Sequence, residues 1–163
     1  MKDESPRQML GRMFDSPLVA ALCWLALTAA VSFALLSRTG AAMMSGKNEQ
    51  AVRDFVTAFN RHDTTAMAAL VAGDIQWMNV KGSAVEVEVA GRAALEQSMA
   101  AYFRSCPTCH SEIESIMTAG RFVTIHERAM WTGKNGAQAQ RSLGVYEIRD
   151  GRIQRAWYYP AEK

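Results

Sequence analysis

The sequence predicts an α+β domain in which helices cover one face of a curved sheet, preceded by one hydrophobic N-terminal helix. Three observations support this class. Apolar residues recur at helical spacing just after residue 48, the stretch 85–89 alternates strictly between valine and glutamate, and the second half of the chain consists of alternating segments separated by turn signals. The order is therefore two helices, two strands, a third helix and four antiparallel strands.

The stretch from Ser16 to Ser37 holds no charged residue. Its length fits a transmembrane helix, which needs roughly 20 residues, better than the core of a signal peptide, which has roughly 7–15. Lys2, Arg7 and Arg12 precede it, which favours a cytoplasmic N-terminus. We expect four parts: a cytoplasmic tail over residues 1–15, a transmembrane helix over 16–37, a linker over 38–47 and a domain over 48–163.

This division predicts a single-pass protein of a bacterial-type inner membrane, with its domain on the exported side. Gly40, Ala41 and Ala42 also fit a cleavage site, so a secreted or periplasmic protein released from a signal segment stays an alternative. In both cases the domain faces an oxidising compartment.

The charge balance gives no indication of a nucleic-acid partner. The 163 residues carry 18 Lys and Arg against 16 Asp and Glu, a formal net charge of +2, without long runs of either sign. Three cysteines are too few for a disulfide-based scaffold. Composition and charge therefore indicate an ordinary globular domain.

Three helices are predicted in the domain. The first presents apolar residues at i, i+3, i+4 and i+7, namely Val52, Phe55, Val56 and Phe59. Asp63 caps a second helix that closes at Gly73, and its buried side is Met67, Leu70 and Val71. A third helix opens at Gly91, and one side of it carries Leu95, Ser98, Met99 and Tyr102.

The strands follow from alternation and from turns. A first strand is predicted over Asp74–Val80, and the alternating stretch Val85–Val89 predicts a half-buried strand, with Glu86 and Glu88 in solvent. Four later strands are predicted over Glu112–Met117, Arg121–Trp131, Gln138–Arg149 and Arg152–Tyr159. The turns between them are Ala119-Gly120, Gly133–Gly136 and Asp150-Gly151, and turns this short join antiparallel strands.

The five residues from Cys106 to His110 have the spacing of the c-type haem attachment signature, in which two thiols bind the vinyl groups and the histidine ligates iron. The motif falls in a turn between the third helix and the next strand, and every neighbouring segment is already assigned to the fold. Two cysteines in such a turn of an exported domain favour a disulfide between Cys106 and Cys109, with no cofactor. A haem protein stays an alternative. A metal site at these residues lacks a fourth ligand, so no metal is expected.

Three stretches of this sequence resemble a known family. They are FVTAFNRHDTTAMAALVAGDIQWMNV, VAGRAAL and SLGVYEIRDGRIQRAWYY. Together they resemble the SnoaL-like branch of the nuclear transport factor 2 superfamily, from about Glu49 to Pro160. The resemblance implies a cone-shaped barrel, in which a curved mixed or antiparallel sheet wraps around three helices and encloses a pocket. Family members include isomerases, cyclases, dehydratases, epoxide hydrolases and non-catalytic binders, so the fold alone does not imply a reaction.

Two enzymatic branches are matched position by position. The residues of steroid isomerases fall on Phe55, Asn79 and Gly144, none of which supplies the tyrosine or the two aspartates of that chemistry. The relay of limonene epoxide hydrolases falls on Glu127, Ile125 and Tyr158, so one carboxylate persists while the arginine and the second acid are absent. Asn79 matches their water-holding asparagine, and Trp77 replaces a tyrosine.

The resemblance and the strand alternation together predict a pocket face. The predicted lining residues are Phe55, Trp77, Ile125, Trp131, Gly144, Tyr146 and Tyr158. Glu127 is expected to be the one ionisable side chain in this pocket, with Asn79 near it, and both are candidate catalytic residues. A carboxyl group in an apolar wall is costly unless it is paired, and it can exchange a proton with a ligand.

The opposite face of the sheet carries aromatic side chains that a solvated face does not need. Its residues are Thr124, His126, Arg128, Leu143, Val145, Trp157 and Tyr159, and we expect this face to form a homodimer. Three functions stay open: a domain that binds a small, mostly apolar molecule, an acid–base isomerase, dehydratase or hydrolase that uses Glu127 with Asn79, and a c-type haem protein.

Overall fold

The computed structural model describes residues 43–159. The predicted tail, the predicted membrane helix and residues 38–42 of the predicted linker lie outside the described residues. The rest of that linker, residues 43–47, is helical and is continuous with the first helix of the domain. Within residues 43–159, no helix is both long enough and apolar enough to cross a bilayer.

The described part of the chain forms three helices and six strands. The helices are α1 (residues 43–60), α2 (Thr64–Ala69) and α3 (Arg92–Ser105). The strands are β1 (Val71–Lys81), β2 (Ala84–Ala90), β3 (His110–Ala119), β4 (Phe122–Gly133), β5 (Gly136–Arg149) and β6 (Arg152–Tyr158). The predicted α+β class is confirmed.

The six strands form one mixed sheet in the order β2-β1-β6-β5-β4-β3. The pairs β1–β2, β3–β4, β4–β5 and β5–β6 are antiparallel, as the short turns predict. The last strand, β6, also pairs with β1 in parallel and so lies between β1 and β5. This parallel pair joins the first half of the domain to the second.

The core lies between the helices and one face of the sheet. The alternation in β4 buries Val123, Ile125 and Glu127, as predicted, and leaves their neighbours on the other face. Helices α1 and α3 contribute Phe55 and Leu95 to the same core. The helices therefore cover the sheet face that carries the apolar side chains of β4.

The second helix is shorter than predicted. Asp63 caps it as expected, since its carboxylate accepts a hydrogen bond of 2.9 Å from the backbone N–H of Ala66. The helix ends at Ala69, however, and Val71 and Gly73 belong to β1. Val71 pairs with Ile153 of β6, so the sheet takes up backbone groups that a longer helix would have used.

The edge strand β2 is more exposed than its alternation predicts. Of its seven residues, Val89 alone packs against the core, because β2 lies at the edge of the sheet. Its register contains a β-bulge: Trp77 pairs with Val89 and Met78 with Val87, so Glu88 is an extra residue. A bulge redirects a side chain, and here it affects Glu88.

Candidate functional site

A cavity of about 200 Å³ lies between the helices and the sheet. All six strands contribute to its wall, together with α1 and α3. Six aromatic residues line it: Phe55, Phe59, Trp77, Tyr102, Tyr146 and Tyr158. The other lining residues are Val56, Glu88, Val89, Ser98, Met99, Ser111, Glu127 and Ala129. The predicted lining residues Phe55, Trp77, Tyr146 and Tyr158 are therefore at the cavity, and so is Glu127.

Glu127 is buried in the wall of the cavity, with 8% of its surface exposed. The hydroxyl of Ser111 donates a hydrogen bond of 2.8 Å to Oε2, and the hydroxyl of Ser142 donates one of 3.1 Å to Oε1. Ser142 lies directly opposite Glu127 in the β4–β5 ladder. Because each carboxylate oxygen has a hydroxyl donor, the orientation of the carboxylate is defined by its neighbouring strands.

Ser111 is a site residue that the sequence did not predict. Its backbone is held by the side chain of Asn60, which accepts a hydrogen bond of 2.7 Å from the Ser111 N–H and donates one of 2.8 Å to the Ser111 carbonyl. Asn60 is the last residue of α1, so the end of this helix sets the position of the serine that contacts Glu127. The sequence indicates the break between the helices at Asn60-Arg61-His62-Asp63. It does not indicate that Asn60 contacts Ser111 in β3.

The same helix break also holds the turn that contains the cysteines. The ring Nε2 of His62 lies 2.8 Å from the carbonyl oxygen of Cys109, and the ring stacks on Phe103 with centroids 4.1 Å apart. Asn60 and His62 therefore contact β3 and the turn before it, which brings the start of β3 against the end of α1.

Two phenols lie beside one another at the cavity. The hydroxyls of Tyr146 and Tyr158 form a hydrogen bond, and Tyr158 stacks on Trp77 with ring centroids 4.9 Å apart. Burial raises the pKa of both tyrosines well above the ordinary value, and the negative charge of Glu127 raises them further. Both phenols are therefore neutral hydrogen-bond donors at physiological pH.

Tyr102 is the third phenol of the cavity. Its hydroxyl donates a hydrogen bond of 3.4 Å to the sulfur of Cys109. Burial raises the pKa of Tyr102, and the charge of Glu127 again acts in the same direction. The sequence placed Tyr102 on the inner side of the third helix but did not predict it as a site residue.

Asn79 does not lie beside Glu127, which corrects the predicted pair. Its amide donates a hydrogen bond of 2.7 Å to the carboxylate of Glu88, and Asn79 is not part of the cavity wall. The bulge in β2 is the reason, because it brings Glu88 to the cavity and within reach of Asn79. Glu127 is thus not the one ionisable group of the predicted pocket: Glu88 and the three tyrosines line the cavity too.

Three other predicted pocket residues are not part of the cavity wall. Ile125 is completely buried in the core. Gly144 lies against the rings of the phenol pair, so that an added Cβ would be 3.3 Å from Ile125, Tyr146 and Tyr158. Trp131 lies near the far end of the β4–β5 hairpin, in a shallow groove with Thr108 and His110. Alternation predicts the face of the sheet but not how far along it the helices form a cavity.

Cys106 and Cys109 lie on the turn between α3 and β3. Their sulfur atoms are at bonding distance, and their Cα atoms are 5.5 Å apart, as in disulfides. His110 begins β3 and is exposed. Within residues 43–159, no three His, Cys, Asp or Glu side chains are grouped so that they could hold a metal ion.

Comparisons with known proteins agree with the resemblance in the sequence. The protein family described as the SnoaL-like domain matches residues 52–156. A comparison with curated proteins finds no match.

Three solved structures illustrate the shared fold. An uncharacterized cystatin fold protein from Novosphingobium aromaticivorans is 20% identical, with 68% of this chain and 96% of that chain covered and a TM-score of 0.61. An NTF2-like protein of unknown function from Mesorhizobium loti is 26% identical, with 73% and 93% covered and a TM-score of 0.60. An LEH-like epoxide hydrolase from M. tuberculosis is 21% identical, with 72% and 84% covered and a TM-score of 0.59.

Proposed function

Because the chain belongs to the SnoaL-like domain family, we propose that its cavity binds a small, mostly apolar molecule and that Glu127 exchanges a proton with it. The observation that carries this proposal is the carboxylate in the wall of an aromatic cavity, with a serine hydroxyl on each oxygen. The apolar rings supply binding energy and exclude water, while the carboxylate is held at one orientation for proton transfer.

The phenols can stabilise the negative charge that proton removal creates on the ligand. When a base removes a proton next to a carbonyl group, negative charge develops on the carbonyl oxygen. Tyr146 and Tyr158 are neutral at the same cavity; one hydroxyl donates to the other, and the hydroxyl that accepts this bond keeps its own proton free to stabilise that oxygen. A carboxylate base together with a phenol donor is one arrangement that can catalyse isomerisation or dehydration next to a carbonyl group.

Epoxide hydrolysis by an acid–arginine–acid relay is a weaker candidate, although an LEH-like epoxide hydrolase shares the fold. The resemblance places the missing arginine and second acid at Ile125 and Tyr158. Ile125 is buried in the core, and the hydroxyl of Tyr158 is hydrogen-bonded to that of Tyr146. The side-chain amide of Asn79, the expected water-holding residue, donates its hydrogen bond to Glu88 instead. The residues around Glu127 therefore favour proton transfer without this relay.

The test uses 2-naphthol, a flat aromatic alcohol whose excited state gives its proton to an adjacent base. We expect the full-length protein to bind 2-naphthol and to produce the emission of the naphtholate anion. Glu127→Gln keeps the size of the side chain, so the variant should bind the probe but leave its emission that of the neutral alcohol. The matched control is Glu112→Gln, which removes the same charge from an exposed position next to Ser111.

Two results would contradict the proposal. Failure of 2-naphthol to bind argues against an apolar binding cavity. Naphtholate emission of equal strength in Glu127→Gln would leave the cavity as a binding site without a role for Glu127 in proton transfer.

We also propose that residues 16–37 anchor the protein in the inner membrane, with the domain on the exported side. The support is the absence of charge over 22 consecutive residues, from position 16 to position 37. Recovery of a C-terminal tag in the cytosol after cell fractionation would contradict it. A mature protein that begins near Met43 would instead favour a cleaved signal segment.

Cys106 and Cys109 are proposed to form a structural disulfide rather than to attach haem. Their bonding distance, their position in a connecting turn and the contact of Cys109 with Tyr102 support this assignment. A covalent link there would hold the start of β3, and hence Ser111, close to the end of α3.

The outer face of the sheet is proposed to pair with a second copy of the chain. Leu143 and Tyr159 are exposed on it, and Trp157 is half-buried beside them in the sheet. Burial of these apolar groups would favour association. Sedimentation analysis of the full-length protein in detergent tests this, and a Leu143→Glu variant should dissociate the dimer.

A further inference from the structure

We propose that the ligand of the cavity is an organic cation, an amine that is protonated or quaternary and is attached to an apolar body about the size of one or two rings. Among the described residues that line the cavity, two are carboxylates, Glu88 and Glu127, and none is Lys, Arg or His. This inference rests on the proposed binding function and adds the charge of the ligand to it.

The first step of the argument is the contrast between two buried glutamates. Glu147 is 2% exposed, and its carboxylate is neutralised by Arg121, Arg149 and Arg155 at 2.8–3.0 Å. Glu127 is 8% exposed, and the partners that the described structure gives it are the hydroxyls of two serines and of Tyr158. Hydroxyls satisfy the oxygen lone pairs but do not neutralise the charge.

An uncompensated charge in an apolar wall is unfavourable, because the protein interior solvates it less well than water does. Glu147 shows how this domain compensates such a charge where it serves the fold. At Glu127 the compensating group is absent from the described protein, and the space beside the carboxylate is a cavity. A cationic ligand in that cavity supplies the missing charge.

The second step concerns the electric field inside the cavity. Burial raises the pKa of Tyr102, Tyr146 and Tyr158, and the charge of Glu127 raises each of them further. These tyrosines belong to α3, β5 and β6, so the negative potential of Glu127 extends over three parts of the wall. A potential of this sign attracts a cation and repels an anion.

The third step concerns the rings. Trp77 stacks on Tyr158 and lies 5.7 Å from Phe55 between centroids, while Phe59 and Tyr102 lie 6.0 Å apart. The faces of such rings carry partial negative charge and bind organic ammonium groups, tryptophan most strongly. Aromatic walls therefore bind both the apolar body and the charged group of such a ligand.

The exposed carboxylate of Glu88 adds a second negative charge to the wall. Its hydrogen bond comes from the neutral amide of Asn79, while Lys81 forms its ion pair with Glu86 at 2.7 Å and attracts Glu88 more weakly through its electric field. Glu88 is redirected by the bulge in β2, which gives this local distortion a role in ligand attraction.

The test compares three probes of similar size and different charge: benzylammonium, benzyl alcohol and benzoate. Binding to the full-length protein is followed through the indole N–H signals of its tryptophans. We expect benzylammonium to bind at least about tenfold more tightly than benzyl alcohol, and benzoate to bind most weakly. Glu127→Gln and Glu88→Gln should each reduce the preference for the cation, and Glu112→Gln should preserve it.

The outcomes separate this inference from the proposed function. If benzyl alcohol binds as tightly as benzylammonium, the cation inference fails while the apolar cavity stands. If the double variant Glu88→Gln/Glu127→Gln keeps the full preference for benzylammonium, that preference arises elsewhere and the inference also fails. If none of the three probes binds at millimolar concentration, both the inference and the proposed function fail.

Discussion

The side chain of Asn60 and the backbone of Ser111 exchange two hydrogen bonds, of 2.7 and 2.8 Å, across 51 positions of sequence. The Ser111 N–H donates one bond and the Ser111 carbonyl accepts the other. The side-chain amide of Asn60 therefore satisfies the same two backbone groups that a neighbouring strand would. The hydroxyl of the same serine contacts Glu127 at 2.8 Å. The end of α1 thus determines where one of the hydrogen-bond donors of the candidate catalytic carboxylate lies.

Replacement of Asn60 by alanine should destabilise the domain and loosen the site. Ser111 is 5% exposed, so its two backbone groups would lose partners that water does not readily replace. We expect the free energy of unfolding to fall by about 1–3 kcal/mol, measured by urea unfolding. Asn135→Ala, in the exposed β4–β5 turn, is the matched control and should change little. Equal stability of the two variants would show that the Asn60 bonds contribute nothing.

Replacement of Gly144 by alanine should disturb the phenol pair. The added Cβ would lie 3.3 Å from side-chain atoms of Ile125, Tyr146 and Tyr158, which is closer than ordinary van der Waals contact. We expect a loss of about 1–3 kcal/mol in unfolding free energy and weaker binding of 2-naphthol. Gly73→Ala is the control, because no atom lies within 4 Å of its added Cβ. A stable Gly144→Ala protein with unchanged binding would contradict the close packing.

The raised pKa values of the buried tyrosines predict a loss of stability in alkali. A group whose pKa is raised in the folded state stabilises that state fully below its unfolded pKa, which is about 10 for tyrosine. Stability should therefore fall as the pH rises above about 10, and the phenolate absorbance of Tyr146 and Tyr158 should appear together with unfolding.

Glu127→Gln offers a direct check on the cause. It removes a negative charge that opposes ionisation of Tyr102, Tyr146 and Tyr158, so phenolate absorbance should begin at a lower pH than in the unmodified protein. Circular dichroism recorded in parallel separates ionisation from unfolding. An unchanged titration curve would mean that the charge of Glu127 does not reach the phenols.

Glu147→Gln should weaken the domain at neutral pH and matter less in acid. Burial acts to raise the pKa of Glu147, but hydrogen bonds from Arg149 and Arg155 outweigh it and hold that pKa below the ordinary value. A lowered folded pKa gives stability that is present above the unfolded pKa, about 4.3, and is lost as the pH falls through the folded value. We expect a loss of about 1–3 kcal/mol at pH 7.

Urea unfolding at several pH values tests this sign. The stability difference between Glu147→Gln and the unmodified protein should narrow below about pH 4. A difference that is constant or grows in acid would be inconsistent with a lowered pKa. Glu112→Gln, at an exposed position, should show little difference at any pH.

The disulfide prediction concerns Cys106 and Cys109. Mass spectrometry of the unreduced chain should give a mass two hydrogens below that of the reduced chain, with no haem attached. Because the loop between the two cysteines is short, Cys106→Ser/Cys109→Ser should cost no more than the low end of roughly 2–4 kcal/mol. A Soret band after expression with haem-maturation machinery would contradict the assignment.

Most of the fold was predictable because its signals are local. The cap at Asp63 depends on one side chain and a backbone group three residues away. The turn at Asp150-Gly151 depends on two residues that adopt positive φ, 50° and 72°, which these residue types tolerate. Helix and strand boundaries set by such neighbours were close to those predicted, except at Val71, where pairing with Ile153 ended the second helix early.

The candidate site was predictable only in part. The alternation of β4 and the resemblance together identified Glu127 and four of the six aromatic residues at the cavity, because a strand's period assigns each side chain to one face. The same period also assigned Trp131 to that face. Trp131 nevertheless lies away from the cavity, because the β4–β5 hairpin extends beyond the cavity and Trp131 is near the hairpin's turn. A face is a local property, whereas the extent of a cavity depends on which helices cover it.

The sequence by itself therefore determined the class of fold, the turns and the burial of Glu127, since each follows from backbone preferences or a repeat of two residues. The tertiary structure alone decided that Ser111 contacts Glu127, and that Asn79 binds Glu88 instead of approaching Glu127. The first contact needs Asn60 to hold a strand 51 residues away, and the second needs a bulge in an edge strand. Long-range contacts and bulges set which polar groups meet, and no local period in the sequence carries that information.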